Sequence, residues 1–541
     1  MDLSYIAVLN TLVTLENNAL KLYLMPKTPS HKLFRLVKSL SGSEKRYFKI
    51  FVNPKGDKDN KSIRLFDSIN NQTVFDEERL KKKIYGKEVI EGRKYSELKA
   101  YLYDLILKAL QGYDEKTSVD YRLKGMLMSV RALFKRSHFD DCKELLQKAK
   151  KLAKKHEQFH IILEVLVWQK KIAYAQSDME YIGKNLGKIS AEESEFQAKI
   201  ENLNSYRNIF LKLLMTLRQN VIRREKMLKK IQGIMSAPIL ENEKNAQSNL
   251  AKILYNRIYA FYFYTISDIQ KYYSTNKYLL QLMESLPYYL TEDLTEYIAV
   301  ITNLSVSCGN LGKFDEIEEY LIKLRSLSPN THEDQIYIHR QYYAFKLKLC
   351  IVKGAFEEGV QEIELIPKNV QAGDRHIFEK DSFYFSFFSI YFGKGDYSES
   401  LSYLNEWLNI RKTDERQDLQ SLAKVLNLII HYEMNNPMLI DSIIRSNIRY
   451  LSKQKGTYQF EKIIISFFSK LNKMPLTNRE LSEAFQQLKD ELLNDLHAPE
   501  EKRLLGIFDI ISWIESKITN QSFAGIIKEK YRQRKASTTS S

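Results

Sequence analysis

The stretch Asp381–Ile410, DSFYFSFFSIYFGKGDYSESLSYLNEWLNI, decides how the chain is built. An apolar, aromatic run leads into Gly393-Lys394-Gly395-Asp396, and a second run follows in which Tyr397, Leu401, Leu404 and Leu408 recur at steps of 4, 3 and 4. Those steps put four side chains on one face of an α-helix. The glycines break the first helix because they accept positive φ, and Asp396 can take up the free N–H groups that open the second. The stretch predicts a helical hairpin with one wet face.

Copies of the hairpin lie upstream, in GKFDEIEEYLIKL (Gly312–Leu324) and GAFEEGVQEIELIPK (Gly354–Lys368). With the aromatic two residues after the glycine as marker, Phe314, Phe356 and Tyr397 are 42 and 41 residues apart. The same interval reaches Met438, Leu481 and Phe523 going forward, and Ile269, Val221, Met179 and Phe139 going back. An interval near 40 residues sustained over most of a chain is a repeat, and stacked repeats form a solenoid.

The unit resembles a tetratricopeptide repeat, whose second helix opens with Gly-x-aromatic and continues with a small, a large apolar and a small residue at helical steps. Phe139, Cys142, Leu146 and Ala149 follow that scheme most closely. Elsewhere Ile317, Gly359 and Ser400 hold the first small position, while Leu324, Ile366 and Trp407 fill the second. The period also exceeds the usual value of about 34, so the resemblance is to a tetratricopeptide-like repeat with lengthened helices, HEAT-type hairpins being the alternative. It implies an all-α fold, a right-handed α-solenoid of antiparallel hairpins over residues 116–535, whose concave surface binds a peptide or helix of another protein.

Composition fits that architecture. The 541 residues hold only 10 Pro and 19 Gly, and 44% are hydrophobic, which suits an almost wholly helical chain that grows lengthwise. Cys142, Cys308 and Cys350 are too few and too irregularly spaced for disulfides or metal ligation, which points to a reducing, cytoplasmic setting. The start, MDLSYIAVLNTLVTLENNALKLYL, has no basic leader region and no long uninterrupted apolar span. Residues 1–25 read as a weakly ordered extension and residues 536–541 as a disordered tail.

Residues 26–115 lie outside the repeat and read as a small basic helical domain. Five helices are expected there, His31–Leu40, Ser43–Val52, Ser62–Asn71, Asp76–Tyr85 and Tyr95–Gln111, with Ser43 and Asp76 as N-caps and with Tyr47, Phe48 and Phe51 at core spacing. The net charge of +16 belongs to the front: residues 1–235 hold 46 Lys and Arg against 28 Asp and Glu, the remainder 37 against 39. Candidate partner-binding residues follow from the basic runs: Lys45, Arg46, Lys49, Lys81, Lys82 and Lys83 in the first domain, and Lys150, Lys151, Lys154 and Lys155 in the first repeat. Such runs can release counterions from a nucleic-acid backbone or meet an acidic protein, and they can equally be solvated helix faces.

One catalytic pattern is present. His156–His160 reads HEQFH, which matches the H-E-x-x-H of zinc peptidases, with Glu157 as general base and Glu164 or Glu180 as a possible third ligand. The repeat register opposes it, because the helix from Phe139 should end near Lys155 and the next should begin near His160, leaving Glu157–Phe159 in a turn and both histidines on the surface. No phosphate-binding loop, dinucleotide fingerprint or nucleophile elbow occurs. The aromatic bands Tyr255–Ile266 and Phe383–Phe392 read as inner helices, apolar all round because neighbours cover both sides. The expected function is a non-catalytic scaffold without cofactor or metal. A nucleic-acid-associated regulator is the rival reading, and a zinc hydrolase a distant third.

Overall fold

The protein is described from a computed structural model. It covers residues 29–54, 60–72, 74–86, 92–219, 224–286, 288, 290, 294–370, 374, 377–379, 381–409, 417–451, 458–471, 477–495, 501 and 506–539. Among these residues the fold is all-α, 24 helices with two short 3-10 turns and no strand. The first five are α1 (Pro29–Ser39), α2 (Gly42–Val52), α3 (Lys61–Asn70), α4 (Glu77–Tyr85) and α5 (Gly92–Thr117). Next come α6 (Val119–Phe134), α7 (Phe139–Lys155), α8 (Phe159–Ala175), α9 (Met179–Gln219), α10 (Arg224–Met235), α11 (Asn249–Thr265) and α12 (Ile269–Glu284). Then follow α13 (Leu294–Asn310), α14 (Phe314–Ser326), α15 (His332–Lys353), α16 (Phe356–Asn369), α17 (Asp381–Lys394) and α18 (Tyr397–Asn409). The last are α19 (Gln417–Glu433), α20 (Pro437–Leu451), α21 (Gln459–Leu471), α22 (Asn478–Asp495), α23 (Ile510–Thr519) and α24 (Phe523–Thr539). Residues 536–539, expected as a disordered tail, continue α24. The extension over residues 1–25 and the marker Val221 lie outside the described residues.

One turn recurs. Ser137, Glu157, Ser177, Ser267, Gly312, Gly354, Gly395, Asn435 and Asn520 all have φ between 51° and 87°. The next residue's N–H then reaches the carbonyl five residues back, as from His138 to Leu133 at 3.2 Å, Lys313 to Cys308 at 2.8 Å and Asp396 to Tyr391 at 3.0 Å. This is the Schellman closure of a helix end. The markers Phe139, Met179, Ile269, Phe314, Phe356, Tyr397 and Phe523 are each the first residue of a helix. Asp178, Asp268 and Asp396 cap the helices that follow by accepting from the N–H groups of Tyr181, Lys271 and Glu399.

Three residues into the second helix, the small position sets how closely two helices approach. Cys142 donates its thiol to the Val130 carbonyl at 3.4 Å, and Ser400 its hydroxyl to the Phe388 carbonyl at 2.9 Å, both twelve residues back. At Gly359 a Cβ would come within 3.0 Å of the Ile390 side chain, and at Gly393 within 2.3 Å of the Phe356 ring. The Phe356 ring thus lies flat against the backbone of α17, a contact any larger residue at position 393 would break.

The chain divides into two compact units, bounded at Lys21–Ile301 with Pro329–Gln335, and at Thr302–Ser328 with Ile336–Ser541. In the N-terminal unit α1–α5 enclose a core of Leu33, Val37, Phe48, Phe66, Leu102 and Ile106 among others. The cap of α2 is Ser41 in a capping box with Glu44, rather than Ser43, while Asp76 caps α4 as expected. Phe48 is buried, but Tyr47 is half-buried and Phe51 exposed, so only one of those three aromatics is core. A continuous α9 of 41 residues, about 60 Å long at 1.5 Å per residue, replaces the extra turn that the repeat interval places between Met179 and Val221.

The C-terminal unit has a core rich in aromatic residues from α17 to α24, including Phe388, Leu404, Ile429, Phe468, Phe485 and Trp513. Its last helix does not touch sequence neighbours alone, as it would in an open stack. Phe523 lies against Phe356 and Phe392, Tyr531 against Phe314, and Lys535 pairs with Asp315 across 220 residues of chain.

Candidate functional site

The hairpins around α6–α8 carry the surface with the most to offer a partner. In α6, Leu123, Leu127 and Val130 are buried, and in α7 Cys142, Leu146, Ala149 and Ala153. Helix α8 is covered on several sides by α6, α7 and α9, burying Ile161, Ile162, Val165, Leu166, Ile172 and Ala173. What it leaves in solvent is one narrow stripe, His160, Glu164, Val167, Lys171 and Tyr174, at steps of 4, 3, 4 and 3. Tyr174 is 77% exposed. On the adjoining α6, Tyr121 and the 74% exposed Met128 stand in solvent beside Lys124 and Arg131. Single exposed apolar residues are ordinary, but two neighbouring first helices each holding a pair of them are a candidate contact surface. The cations there are partly engaged: Lys124 pairs with Asp120 at 2.6 Å and the Lys171 ammonium sits 4.9 Å from the Trp168 ring centre.

The basic residues singled out in the sequence divide into two sets. Lys49 pairs with Asp67 and Lys81 with Glu78, both at 2.7 Å. Arg46, Lys82 and Lys83 remain exposed, and Lys45 is half-buried. In α7 the expected open stripe is not one stripe. Lys150 and Lys154 both reach Glu192 of α9 at 2.6 Å, and Lys150 is half-buried, so they tie α7 to α9, whereas Lys151 and Lys155 are exposed. The two lysines hold the Glu192 carboxyl below its usual range even though burial acts in the opposite direction and is the largest single influence. Their partner lies 42 residues along the chain from Lys150, so no local charge count could reveal it.

The HEQFH residues are pulled apart by the turn. His156 caps the end of α7, Glu157 occupies the left-handed position, and His160 is the second residue of α8. The Glu157 carboxylate accepts from the N–H groups of Asn249 and Leu250 at 2.8 and 2.9 Å, holding the start of α11. A carboxylate used in that way serves the helix N-terminus. His160 is exposed, but His156 is half-buried with its ring 5.0 Å from that of Tyr288, so only one of the two histidines is at the surface. Glu180 pairs with Lys184 on its own helix and Glu164 is exposed. Among the described residues no three His, Cys, Asp or Glu side chains are grouped to hold a metal ion. The cysteines are buried and none is in a disulfide, and burial raises the Cys142 thiol and pushes that of Cys350 up to about 12, away from thiolate chemistry at neutral pH.

The aromatic bands differ from each other. Phe383, Phe385, Phe387, Phe388 and Phe392 are buried, as expected of an inner helix. In α11 Tyr255, Tyr259, Tyr262 and Phe263 are half-buried, and Tyr259 donates to the Leu240 carbonyl at 2.8 Å. Among the described residues no helix is long and apolar enough to cross a membrane. Set against known proteins, the chain matches no protein-family model, no curated protein and no solved structure.

Proposed function

We propose that the chain is a non-catalytic scaffold, a right-handed, tetratricopeptide-like solenoid whose first hairpins bind a helix or extended peptide of another protein. The observation that carries this reading is the exposed stripe of α8, a helix otherwise enclosed by α6, α7 and α9 yet presenting Val167 and Tyr174 to solvent. Apolar anchors flanked by Lys171, Lys124 and Arg131 suit an amphipathic partner helix with acidic flanks. Three buried cysteines without a disulfide support a reducing, cytoplasmic setting.

The test is a photo-reactive residue at position 174. It is expected to cross-link a protein partner, whereas the same residue at Met438, exposed on the C-terminal unit, gives none. The variant Val167→Glu/Tyr174→Glu is expected to lose that partner with its unfolding temperature unchanged. Equal cross-linking from both positions, or capture that survives the double variant, rejects the surface. A second reading, nucleic-acid association, is supported by Arg46, Lys82 and Lys83, exposed cations without an ion pair among the described residues. Reversing all three should flatten the salt dependence of duplex DNA retention by roughly 0.9 for each phosphate no longer neutralised, and no change in slope rejects it.

A further inference from the structure

We infer that the C-terminal unit contains a binding pocket for an amphipathic anion, an acyl chain of about ten to twelve carbons ending in a carboxylate, under helix α24. The helix is fastened along its length. Phe523 stacks on Phe508 at 5.6 Å and Phe356 at 5.9 Å, Tyr531 meets Phe314 at 5.5 Å, and Lys535 reaches Asp315 at 3.0 Å. Between these points Gly354 lets it approach so closely that a Cβ there would lie 3.1 Å from the Ala524 carbonyl oxygen.

Despite this fastening a pocket of about 360 Å³ remains beneath it, walled by Ile351, Val352, Leu493, Ile507, Ile511 and Ile527 among others. Protein interiors pack like organic crystals, with few voids larger than a water molecule. This one far exceeds the room a single water needs, and most of its lining is apolar. Leu493 lines it while 55% exposed, which places an apolar residue at the entrance.

The wall that α24 supplies changes character along the helix. Phe523 and Ile527 come first, then Lys530, Tyr531 and Arg534 within two further turns. Asp509 also lines the pocket, but its oxygens accept from the Ser512 N–H at 2.9 Å and the Ser512 hydroxyl at 2.7 Å, so it caps α23. Lys530 is oriented by the Ser512 hydroxyl and Glu515, each at 2.7 Å. An apolar tail with an anionic head matches that gradient.

The test uses the full chain and calorimetric titration with sodium decanoate and with decanol. Decanoate is expected to bind saturably at one site. Arg534→Glu should weaken it about tenfold while leaving decanol within about twofold. Ile527→Trp should abolish binding of both, and Leu493→Glu, at a position where folding tolerates charge, should weaken both. Absence of saturable decanoate binding by a cooperatively folded chain overturns the proposal, as does binding that persists in Ile527→Trp and Leu493→Glu alike. Loss of a protein partner in Leu493→Glu, with no decanoate bound by the parent, assigns the pocket to a peptide and overturns it too.

Discussion

Lys348, on α15, is 7% exposed and makes no ion pair or hydrogen bond among the described residues; its ammonium lies 5.4 Å from the Phe345 ring centre. Gln341, two turns earlier on the same helix, is also buried and its side-chain oxygen has no partner among the described residues. Burial pushes the Lys348 ammonium down from its ordinary 10.5 to about 8, because a low-dielectric surrounding disfavours the charged form. Between those two values the unfolded chain binds the proton and the folded chain does not. Stability should therefore rise as pH is raised from 8 to 10.5, and below 8 the full cost of the buried charge is present. Lys348→Met should stabilise the C-terminal unit at pH 7 by on the order of 3 kcal/mol and remove that slope. Urea unfolding of both proteins at pH 7 and pH 10 measures it, and a variant less stable than the parent at pH 7 would sink the idea. Other residue-scale features were equally hidden in the sequence. HEQFH matches a zinc-peptidase pattern that the repeat register already sets in a turn, but its Glu157 is spent on the start of a helix 92 residues later, a pairing that only the tertiary fold creates.

At the scale of the element, the hairpin was legible because its turn leaves a mark. Of the nine recurring hairpin turns named above, three have glycine at the left-handed position, and the markers two residues on from Gly312, Gly354 and Gly395 each begin a helix. Where Ser, Asn or Glu takes the same conformation, as at Ser137, Ser177 and Asn435, the turn is real but its residue is unremarkable, and only the interval betrays it. The interval misleads once. Between Met179 and Gln219 no closing turn forms, and Gly183 and Gly187 lie inside a continuous helix. Tertiary packing accounts for this: the front of α9 buries Phe196 with the α6–α8 core, while Tyr206 and Leu213 further along belong to the next one. Within the hairpin that fixed the period, Leu404 is completely buried and Tyr397 half-buried against the same core. Leu404→Ala should lower unfolding free energy by about 2–5 kcal/mol, the range for an emptied core site. A loss below about half a kcal/mol in denaturant titration would show that α18 carries little of the packing.

At the scale of the whole molecule, each unit is taken by itself: among the described residues, hydrophobic clusters drawn from residues 33–262 lie in the N-terminal unit and one drawn from residues 384–523 lies in the C-terminal unit. Stacked repeats gain stability from neighbouring interfaces, and long arrays commonly lose all-or-none cooperativity. The N-terminal unit is tied internally by Lys150 and Lys154 on Glu192 and by Glu157 on α11. Its counterpart is tied by the returning α24 and by Glu433, which accepts from the Trp513 indole at 2.6 Å and pairs with Lys517. Each set of ties is internal to its own unit. Calorimetry of the full chain should therefore resolve two unfolding transitions. Glu157→Ala removes the two hydrogen bonds that Glu157 adds to the Ser248 cap of α11, a loss of about 1 kcal/mol, and should move one transition down by a few degrees. Lys348→Met should move the other one up and leave the first in place. A single transition that shifts with both variants would overturn this expectation.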